Sequence, residues 1–445
     1  MESMKKILLI CAMLLVNWMA AQAKSDSVRV TLQNAHRTNT YKGALFVDGK
    51  MLTLKNQTLE ATEGNEIAVL VVNGGKLVLD HCTINKKGDG VRGASGRQGG
   101  QRGNIPGGQR PTEQDRQGKP EGQPNGQNGA RPQRRGGGGG GGNSDDNFNF
   151  YGLNSAVVAV GKGSSIEMRG CVVNTDAEFA NAVFSCDDAR IDITEGITIR
   201  TTRNSSRGLF ATCAGVIEAQ GVVDIDTKGA HCAALATDRG GGTVTVGTPD
   251  TKHKSTLNTA GSGSPCIYST GDITAYNATG TALTSQTMVV EGKNTITIGK
   301  CNLTGKSPKH GGVMLYQSTS GDAKEGTSVL TMTDCTLRDN SGTAMILVTN
   351  THSIVNMENC TLLSPDGKPI TADYPLVTCR NCNNDGHKWG REGANGGQLD
   401  MNLKNQKLTG TLLANETESA IHVTADKASN TKGLKIGDGK GTVEY

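Results

Sequence analysis

One short pattern recurs along this chain of 445 residues and restricts the fold more than any other feature. The stretches "VLDHCTINK", "LTMTDCTLRD" and "VNMENCTLLS" each alternate apolar and polar residues around one cysteine. Apolar residues lie at positions i, i+2 and i+7 of each copy, and a key residue lies at i+5. The key residues are Cys82, Cys171, Cys301, Cys335 and Cys360, with Gln57 and Gln406 in the outermost copies.

The spacing of the key residue indicates a repeat architecture. Consecutive key residues are 25 positions apart from Gln57 to Cys82 and again from Cys335 to Cys360. A second series of short apolar segments, such as "LFATC" and "AMILVTN", lies about half a period away. A repeat of about 25 residues with period-2 strands and no helical periodicity is typical of one turn of a parallel β-helix. The sequence therefore predicts an all-β solenoid of about twelve coils.

Composition agrees with short strands rather than a helical core. Glycine is abundant, at 61 residues, and aromatic residues make up only 3% of the chain. Many turns and few large side chains favour short strands joined by tight corners. We expect N-terminal coils over residues 24–86 and the main β-helix over residues 151–445.

The N-terminus has the features of an export signal. Lys5 and Lys6 precede an apolar run, and "AQA" at 21–23 provides small residues for cleavage after Ala23. No second apolar stretch approaches the roughly 20 residues that a membrane helix needs. The sequence thus predicts a signal peptide over residues 1–23, no membrane span, and a secreted or cell-surface protein.

The formal net charge of +4 is concentrated in one segment. Residues 87–150 contain ten Lys or Arg against six Asp or Glu and include the stretch "RPQRRGGGGGGGN". This segment cannot bury enough apolar surface to offset its ordering entropy, which predicts a disordered Gly/Gln/Arg-rich insertion. The alternative is a basic tether for an anionic glycan or nucleic acid. The rest of the chain is near neutral, so no specific nucleic-acid partner is expected.

The key cysteines are interpreted as packing residues. Cysteine is small and readily buried, so it suits an inward corner, and equivalent positions of adjacent coils would stack about 4.8 Å apart. Stacked pairs have parallel Cβ vectors, which is poor geometry for a disulfide. Gln at the two outermost copies could bond exposed backbone. The pair Cys379 and Cys382 could instead close a local disulfide or, with His387, bind zinc.

With its coil pattern and stretches such as "GSPCIYSTGDI" and "VVEGKNTITI", the chain resembles right-handed parallel β-helix proteins of the pectate-lyase-like superfamily, particularly adhesin-like bacterial surface members. Asp80 and His81 in "LDHCT" match the Trp-Ile-Asp-His segment of pectate lyases, but the Arg-x-Pro-x-x-Arg signature is missing. Polygalacturonase-like acids occur at Asp176, Asp187 and Asp188. The Gly-His-Gly and Arg-Ile-Lys motifs of those enzymes do not occur.

These observations favour a secreted, non-catalytic β-helix that binds a polysaccharide or a cell-surface protein. The alternative is a polysaccharide lyase or glycoside hydrolase acting on acidic glycans, with Asp176, Asp187 and Asp188 as its candidate acids. No cofactor or metal site is predicted, although Asp187 and Asp188 at a turn could hold calcium. Tyr268 and Tyr316 fall within the strand series, where we expect one ring to face inward and the other outward.

Overall fold

The computed structural model describes residues 27–34, 37–91, 146–308, 310–318, 323–341, 343–381 and 395–445. These residues belong to one compact unit. The predicted signal peptide, residues 92–145 of the predicted insertion, Cys382 and His387 lie outside the described residues.

Short strands make up most of the described chain, and its single α-helix, α1 (Asp146–Asn149), has four residues. In chain order the strands are β1 (Val28–Gln33), β2 (Thr38–Asp48), β3 (Met51–Lys55), β4 (Thr58–Ala61), β5 (Ile67–Val72), β6 (Lys76–Asp80), β7 (Thr83–Lys87), β8 (Val157–Val160), β9 (Ser165–Arg169), β10 (Cys171–Asp176), β11 (Val183–Cys186), β12 (Arg190–Ile193), β13 (Gly196–Thr201), β14 (Leu209–Thr212), β15 (Gly215–Ala219), β16 (Val222–Thr227), β17 (Leu235–Thr237), β18 (Gly242–Val246), β19 (Ser255–Thr259), β20 (Ile267–Ser269), β21 (Asp272–Tyr276), β22 (Ala278–Ala282), β23 (Met288–Glu291), β24 (Thr295–Gly299), β25 (Asn302–Gly305), β26 (Val313–Tyr316), β27 (Ser328–Thr333), β28 (Thr336–Asp339), β29 (Ile346–Thr349), β30 (His352–Glu358), β31 (Thr361–Leu363), β32 (Pro375–Cys379), β33 (Gln398–Lys404), β34 (Lys407–Ala414), β35 (Ala420–Ala425), β36 (Asn430–Ile436) and β37 (Thr442–Glu444).

The strands form three long sheets, which we call A, B and C. Sheet A has 14 strands and includes β5, β8 and β11; sheet B has 13 and includes β6, β9 and β12; sheet C has 10 and includes β7, β10 and β13. From β2 to β30 each strand pairs in parallel with the strand three places further along the chain. The chain therefore visits sheets B, C and A in turn, which confirms the predicted all-β stack of parallel strands.

Two exceptions mark the ends of the stack. Strand β1 pairs antiparallel with β2 and so ends sheet A with a hairpin. After β31 the chain alternates between sheets A and B, and sheet C gains no further strand. The last turns therefore consist of strands from only two sheets, A and B.

The corner between sheets B and C explains the recurrent sequence pattern. In most turns a single residue with φ between 46° and 56° changes the chain direction there, and the key residue follows it directly. Asparagine and aspartate tolerate this left-handed conformation better than other residues with a side chain, and glycine adopts it freely. The corner residues of this kind are Asn56, His81, Gly170, Asn277, Lys300, Asp334 and Asn359, and Asn405 has the same conformation at the corner between β33 and β34.

The key cysteines point into the core behind this corner. All ten described cysteines are buried and free, so no disulfide links adjacent turns in the described part of the chain. The thiol of Cys301 donates to the carbonyl oxygens of Gly299 and of Ala275 in the preceding turn, each at 3.4 Å. The neighbouring thiol of Cys301, ahead of burial, raises the pKa of Cys335 to about 12. These side chains fill the core and donate hydrogen bonds to carbonyl oxygens.

Gln406 follows the same kind of corner but bonds differently. Its Oε1 accepts a hydrogen bond from the Cys360 backbone N–H at 2.7 Å, and its Nε2 donates to the Cys360 carbonyl at 2.8 Å. One buried side-chain amide thus pairs both backbone groups of a residue beside β31, the last strand of sheet C. Gln57, at the first copy, is only half-buried and donates to the Lys55 carbonyl at 3.1 Å.

Replacing Gln406 with leucine should destabilise the protein by about 2 kcal/mol or more, because a buried N–H and a buried C=O of Cys360 each lose their partner. Urea denaturation followed by circular dichroism would measure the change. The matched variant Gln57→Leu should cost less than about 0.5 kcal/mol, since its amide caps no buried pair. Equal losses for the two variants would contradict the capping role.

Replacing Asn359 with alanine should lower the free energy of unfolding by about 1–2 kcal/mol, because alanine strains the left-handed corner at φ 51. The variant also loses the hydrogen bond from Asn359 Nδ2 to Asp334 Oδ1. Asn359→Gly loses the same bond without the backbone strain, so its denaturation midpoint should lie between those of alanine and wild type. A glycine variant as unstable as the alanine variant would argue against a conformational cause.

Candidate functional site

The acids suggested by the polygalacturonase resemblance do not share a site. Asp176 ends β10 in sheet C, where it accepts a hydrogen bond from Thr202 Oγ1 at 2.5 Å and lies 3.4 Å from Arg203 Nε. Asp187 and Asp188 follow β11, at the corner between sheets A and B. The four residues of β11, which span about 13 Å, lie between them and Asp176. Carboxyl groups that flank one glycosidic bond are about 5–9.5 Å apart.

The pair that resembles the pectate lyase segment lies at a structural corner. His81 Nδ1 is 2.5 Å from Asp80 Oδ1, and Lys55 Nζ is 2.9 Å from the other oxygen of the same carboxylate. The hydrogen bond with His81, followed by that with Lys55, lowers the pKa of Asp80. His81 is itself the left-handed corner residue. The ion pair between Lys55 and Asp80 therefore connects consecutive turns of sheet B.

In the described part of the chain, no three His, Cys, Asp or Glu residues are grouped closely enough to hold a metal ion. Cys379 is buried in β32, and burial raises its pKa well above the usual value for a thiol. The predicted partners Cys382 and His387 lie outside the described residues.

Aromatic side chains cluster on the outer face of sheet A. Its first half is covered by the segment that follows α1. The Phe150 carbonyl accepts hydrogen bonds from Thr212 Oγ1 at 2.7 Å and from the Cys186 thiol at 3.6 Å. Phe184 and Phe210, on neighbouring strands, pack edge to face with ring centroids 5.1 Å apart. This half of the face is therefore a second, smaller apolar core.

Beyond that cover the same face is open and forms a cavity of about 410 Å³, which we call the aromatic cavity. Val289 and Met314, on β23 and β26, contribute its apolar lining. Its most distinctive lining residues are Phe150, Arg207, Asp238, Tyr268 and Tyr316. A concave site with aromatic walls and few polar groups is the usual form of a small-ligand site.

The two tyrosines are fixed by one buried carboxylate. Glu291 is only 1% exposed, and its Oε2 accepts hydrogen bonds from the Tyr268 hydroxyl at 2.5 Å and from the Tyr316 hydroxyl at 2.7 Å. The Ser318 hydroxyl donates to its Oε1. Burying a carboxylate is costly unless it is hydrogen-bonded, and bonds to a charged acceptor are about twice as strong as neutral ones. Glu291 thus restricts both rings to one orientation.

Burial is the main reason why the pKa values of Tyr268 and Tyr316 lie well above the usual value of 10.0, and the negative charges of Glu291 and Asp238 add to it. Both phenols are consequently neutral hydrogen-bond donors at ordinary pH. Their hydroxyls are engaged by Glu291, so their rings are the parts that can contact a ligand.

One edge of the aromatic cavity is polar. Arg207 Nη1 donates to Asn149 Oδ1 at 3.0 Å, and its guanidinium lies 4.7 Å from the Phe210 ring centroid. Asp238, which is 7% exposed, also lines the cavity. Burial and the positive charge of Arg207 lower the pKa of His231 at the same edge. The cavity thus combines ring surfaces with a few oriented hydrogen-bonding groups.

The prediction that one tyrosine faces inward is wrong. Tyr268 pairs with Val289, which pairs with Met314, and Tyr316 follows two positions later on the same face. The adjacent residues Ile267, Val290, Val313 and Leu315 face the core instead. The sequence patterns did not indicate a role for Glu291 or Asp238. Aligning "YST", "VVEG" and "MLYQ" strand by strand would have placed Glu291 beside Tyr316.

No protein-family model, curated protein or solved structure matches the chain. Among the residues that the structure describes, no helix has the length and apolar character needed to cross a membrane.

The raised pKa values predict that stability falls as pH rises above about 10. In that range the tyrosines of the unfolded chain lose protons while Tyr268 and Tyr316 keep theirs, so alkali favours unfolding. Each tyrosine contributes up to about 1.4 kcal/mol per pH unit. Urea denaturation between pH 8 and 11 should show a shallower decline for the variant Tyr268→Phe/Tyr316→Phe. An identical decline in that variant would mean that other groups cause the loss.

Proposed function

We propose that this protein is an exported, non-catalytic carbohydrate-binding protein whose ligand contacts the aromatic cavity on the outer face of sheet A. The observation that carries the proposal is the pair Tyr268 and Tyr316, whose rings line the cavity and are both held by Glu291. Rigid aromatic side chains supply large contact area at a low cost in conformational entropy. The ring faces suit the apolar faces of sugars, and the polar edge suits their hydroxyl groups.

The polar edge supports the same ligand class. Arg207 and Asn149 are already hydrogen-bonded to each other, and Asp238 is nearly buried, so these groups are oriented before a ligand arrives. Preorganised groups lose less entropy on binding than mobile ones. A cell-surface glycan or a glycosylated surface protein would present suitable hydroxyls, in line with an adhesin-like role.

The enzymatic alternative is a lyase or hydrolase acting on acidic glycans. It has less support, because Asp176 lies at the opposite end of β11 from Asp187 and Asp188. A strand of four residues spans about 13 Å, more than the distance between two carboxyl groups that flank one glycosidic bond.

The same proposal includes the handedness and coil number of the fold and the export of the protein. We infer a right-handed β-helix of about twelve coils, related to the pectate-lyase-like superfamily, because connections between parallel strands of one sheet are right-handed in about 98% of cases. The export signal over residues 1–23 would release a mature chain beginning at Lys24. Calcium at Asp187 and Asp188 is not required by the proposal.

The test incubates the mature protein with insoluble neutral and acidic polysaccharides and measures two quantities, retention on the polymer and the formation of new reducing or unsaturated ends. We expect retention without new ends. The variant Tyr268→Ala/Tyr316→Ala should bind at least about tenfold more weakly, because the loss of two aromatic contacts exceeds the 1.4 kcal/mol that corresponds to a factor of ten.

Tyr276→Ala is the matched control. Tyr276 lies against Gly299 on the outer face of sheet B, away from the aromatic cavity, and its loss should leave retention unchanged. New ends that disappear in Asp176→Ala or Asp187→Ala would establish the enzymatic alternative instead. Equal binding by the tyrosine variant and the control would remove the aromatic cavity from the ligand site.

A further inference from the structure

A second cavity lies next to the end of β26, where Tyr316 lines the aromatic cavity. This polar cavity measures about 590 Å³, and its lining includes Gln317, Ser318, Asn350, Thr351 and Asn395. It occupies the corner between sheets A and B, just past the ends of β26 and β29. The lining of the aromatic cavity includes Pro265 and Gln286, which precede β20 and β23, and extends to Tyr316 at the end of β26. The two cavities therefore adjoin at the end of β26.

The polar cavity is built from amides that fix one another. Asn350 Nδ2 donates to the Gln317 carbonyl at 2.8 Å, and Asn395 Nδ2 donates to Asn350 Oδ1 at 2.9 Å. Gln317 is 7% exposed, and its Oε1 has no hydrogen-bond partner among the described residues. A buried acceptor of this kind costs stability unless a donor reaches it. Ligand hydroxyls can bond the amide and hydroxyl groups of this lining, which also includes the ionisable side chains of Glu325 and His352.

Glu291 connects the two cavities. Its Oε2 holds the hydroxyls of Tyr268 and Tyr316, whose rings line the aromatic cavity. Its Oε1 holds the hydroxyl of Ser318, which lines the polar cavity. One buried carboxylate thus fixes lining residues on both sides, and Tyr316 and Ser318 are only two positions apart on the chain.

The combined extent of the two cavities sets the size of a ligand that could occupy both. The lining of the aromatic cavity reaches from Gln286, before β23, to Tyr316, the last residue of β26, and the polar cavity begins at Gln317, so together they cover at least the four residues of a strand, about 13 Å. A single sugar ring is too short to contact both ends of such a strand. A chain of sugars lying parallel to the strands, across the long axis of the stack, would contact both.

We propose that the aromatic and polar cavities are two subsites of one surface, joined by the Glu291 carboxylate, and that the ligand is an oligosaccharide long enough to occupy both. This inference rests on the proposed carbohydrate-binding function and specifies the length and direction of the ligand. Glu291 acts as a positioning residue, because it orders the contacting side chains and is itself buried beneath them.

The test measures affinity for uncharged β-1,4-linked glucan oligosaccharides and for the corresponding uronic-acid oligosaccharides, from one to six units, by calorimetry. Affinity should rise steeply once the chain spans both subsites and then level off. Glu291→Gln should weaken binding of the six-unit probes about tenfold and that of single units less, because a single unit uses only one of the two subsites that Glu291 orders. A merely structural role would lower the unfolding temperature without altering the dependence on chain length.

A tryptophan variant that blocks the polar cavity, compared with a control variant, distinguishes the two subsites. Thr351→Trp places a bulky ring in the polar cavity, and Thr304→Trp places the same ring on the outer face of sheet C, away from both cavities. Only Thr351→Trp should remove the advantage of long over short probes. Affinity that is independent of length and unaffected by Thr351→Trp would overturn the inference and leave the proposed function standing. If neither the soluble probes nor the insoluble polysaccharides bind, both fail.

Discussion

The rest of the structure depends on the parallel hydrogen bonding between consecutive turns, with inward residues aligned over inward residues. From β3 to β31 this pairing continues through three sheets, and its register is kept even where the loops differ in length. Because the side-chain period of a strand is two, a slip of one residue would move every apolar side chain from the core to the surface. The shared register therefore decides both what fills the core and which side chains become neighbours outside.

The outer face of sheet A shows how that register creates a site. Tyr316 lies beside Glu291 because their strands pair, although 25 positions separate them in the sequence. Tyr268 reaches the same carboxylate from the preceding strand. Three hydroxyl donors offset the cost of burying that charge, so the two rings are positioned by electrostatics as well as by packing. The first half of the face is covered by the segment after α1, which leaves the ordered tyrosines at the edge of the open part.

Sequence reasoning recovered the fold because inward positions repeat. The cysteines, flanked by apolar residues at fixed offsets, indicated parallel strands with tight corners, and the structure places them buried directly after left-handed residues. The site was harder to predict, since outward positions vary freely and become neighbours only through pairing. From Tyr268 to Val289 the step is 21 residues, and from Val289 to Met314 it is 25. Unequal loops of this kind hide the alignment of Glu291 with Tyr316 from a search for a fixed period.

A sheet that ends in free backbone groups is a template on which foreign strands can grow. Sheet C stops at β31, well before the chain does, and there the amide of Gln406 occupies the donor and the acceptor of Cys360. One side chain thereby takes up backbone groups at that edge which a foreign strand would otherwise pair with, and it does so without an added domain.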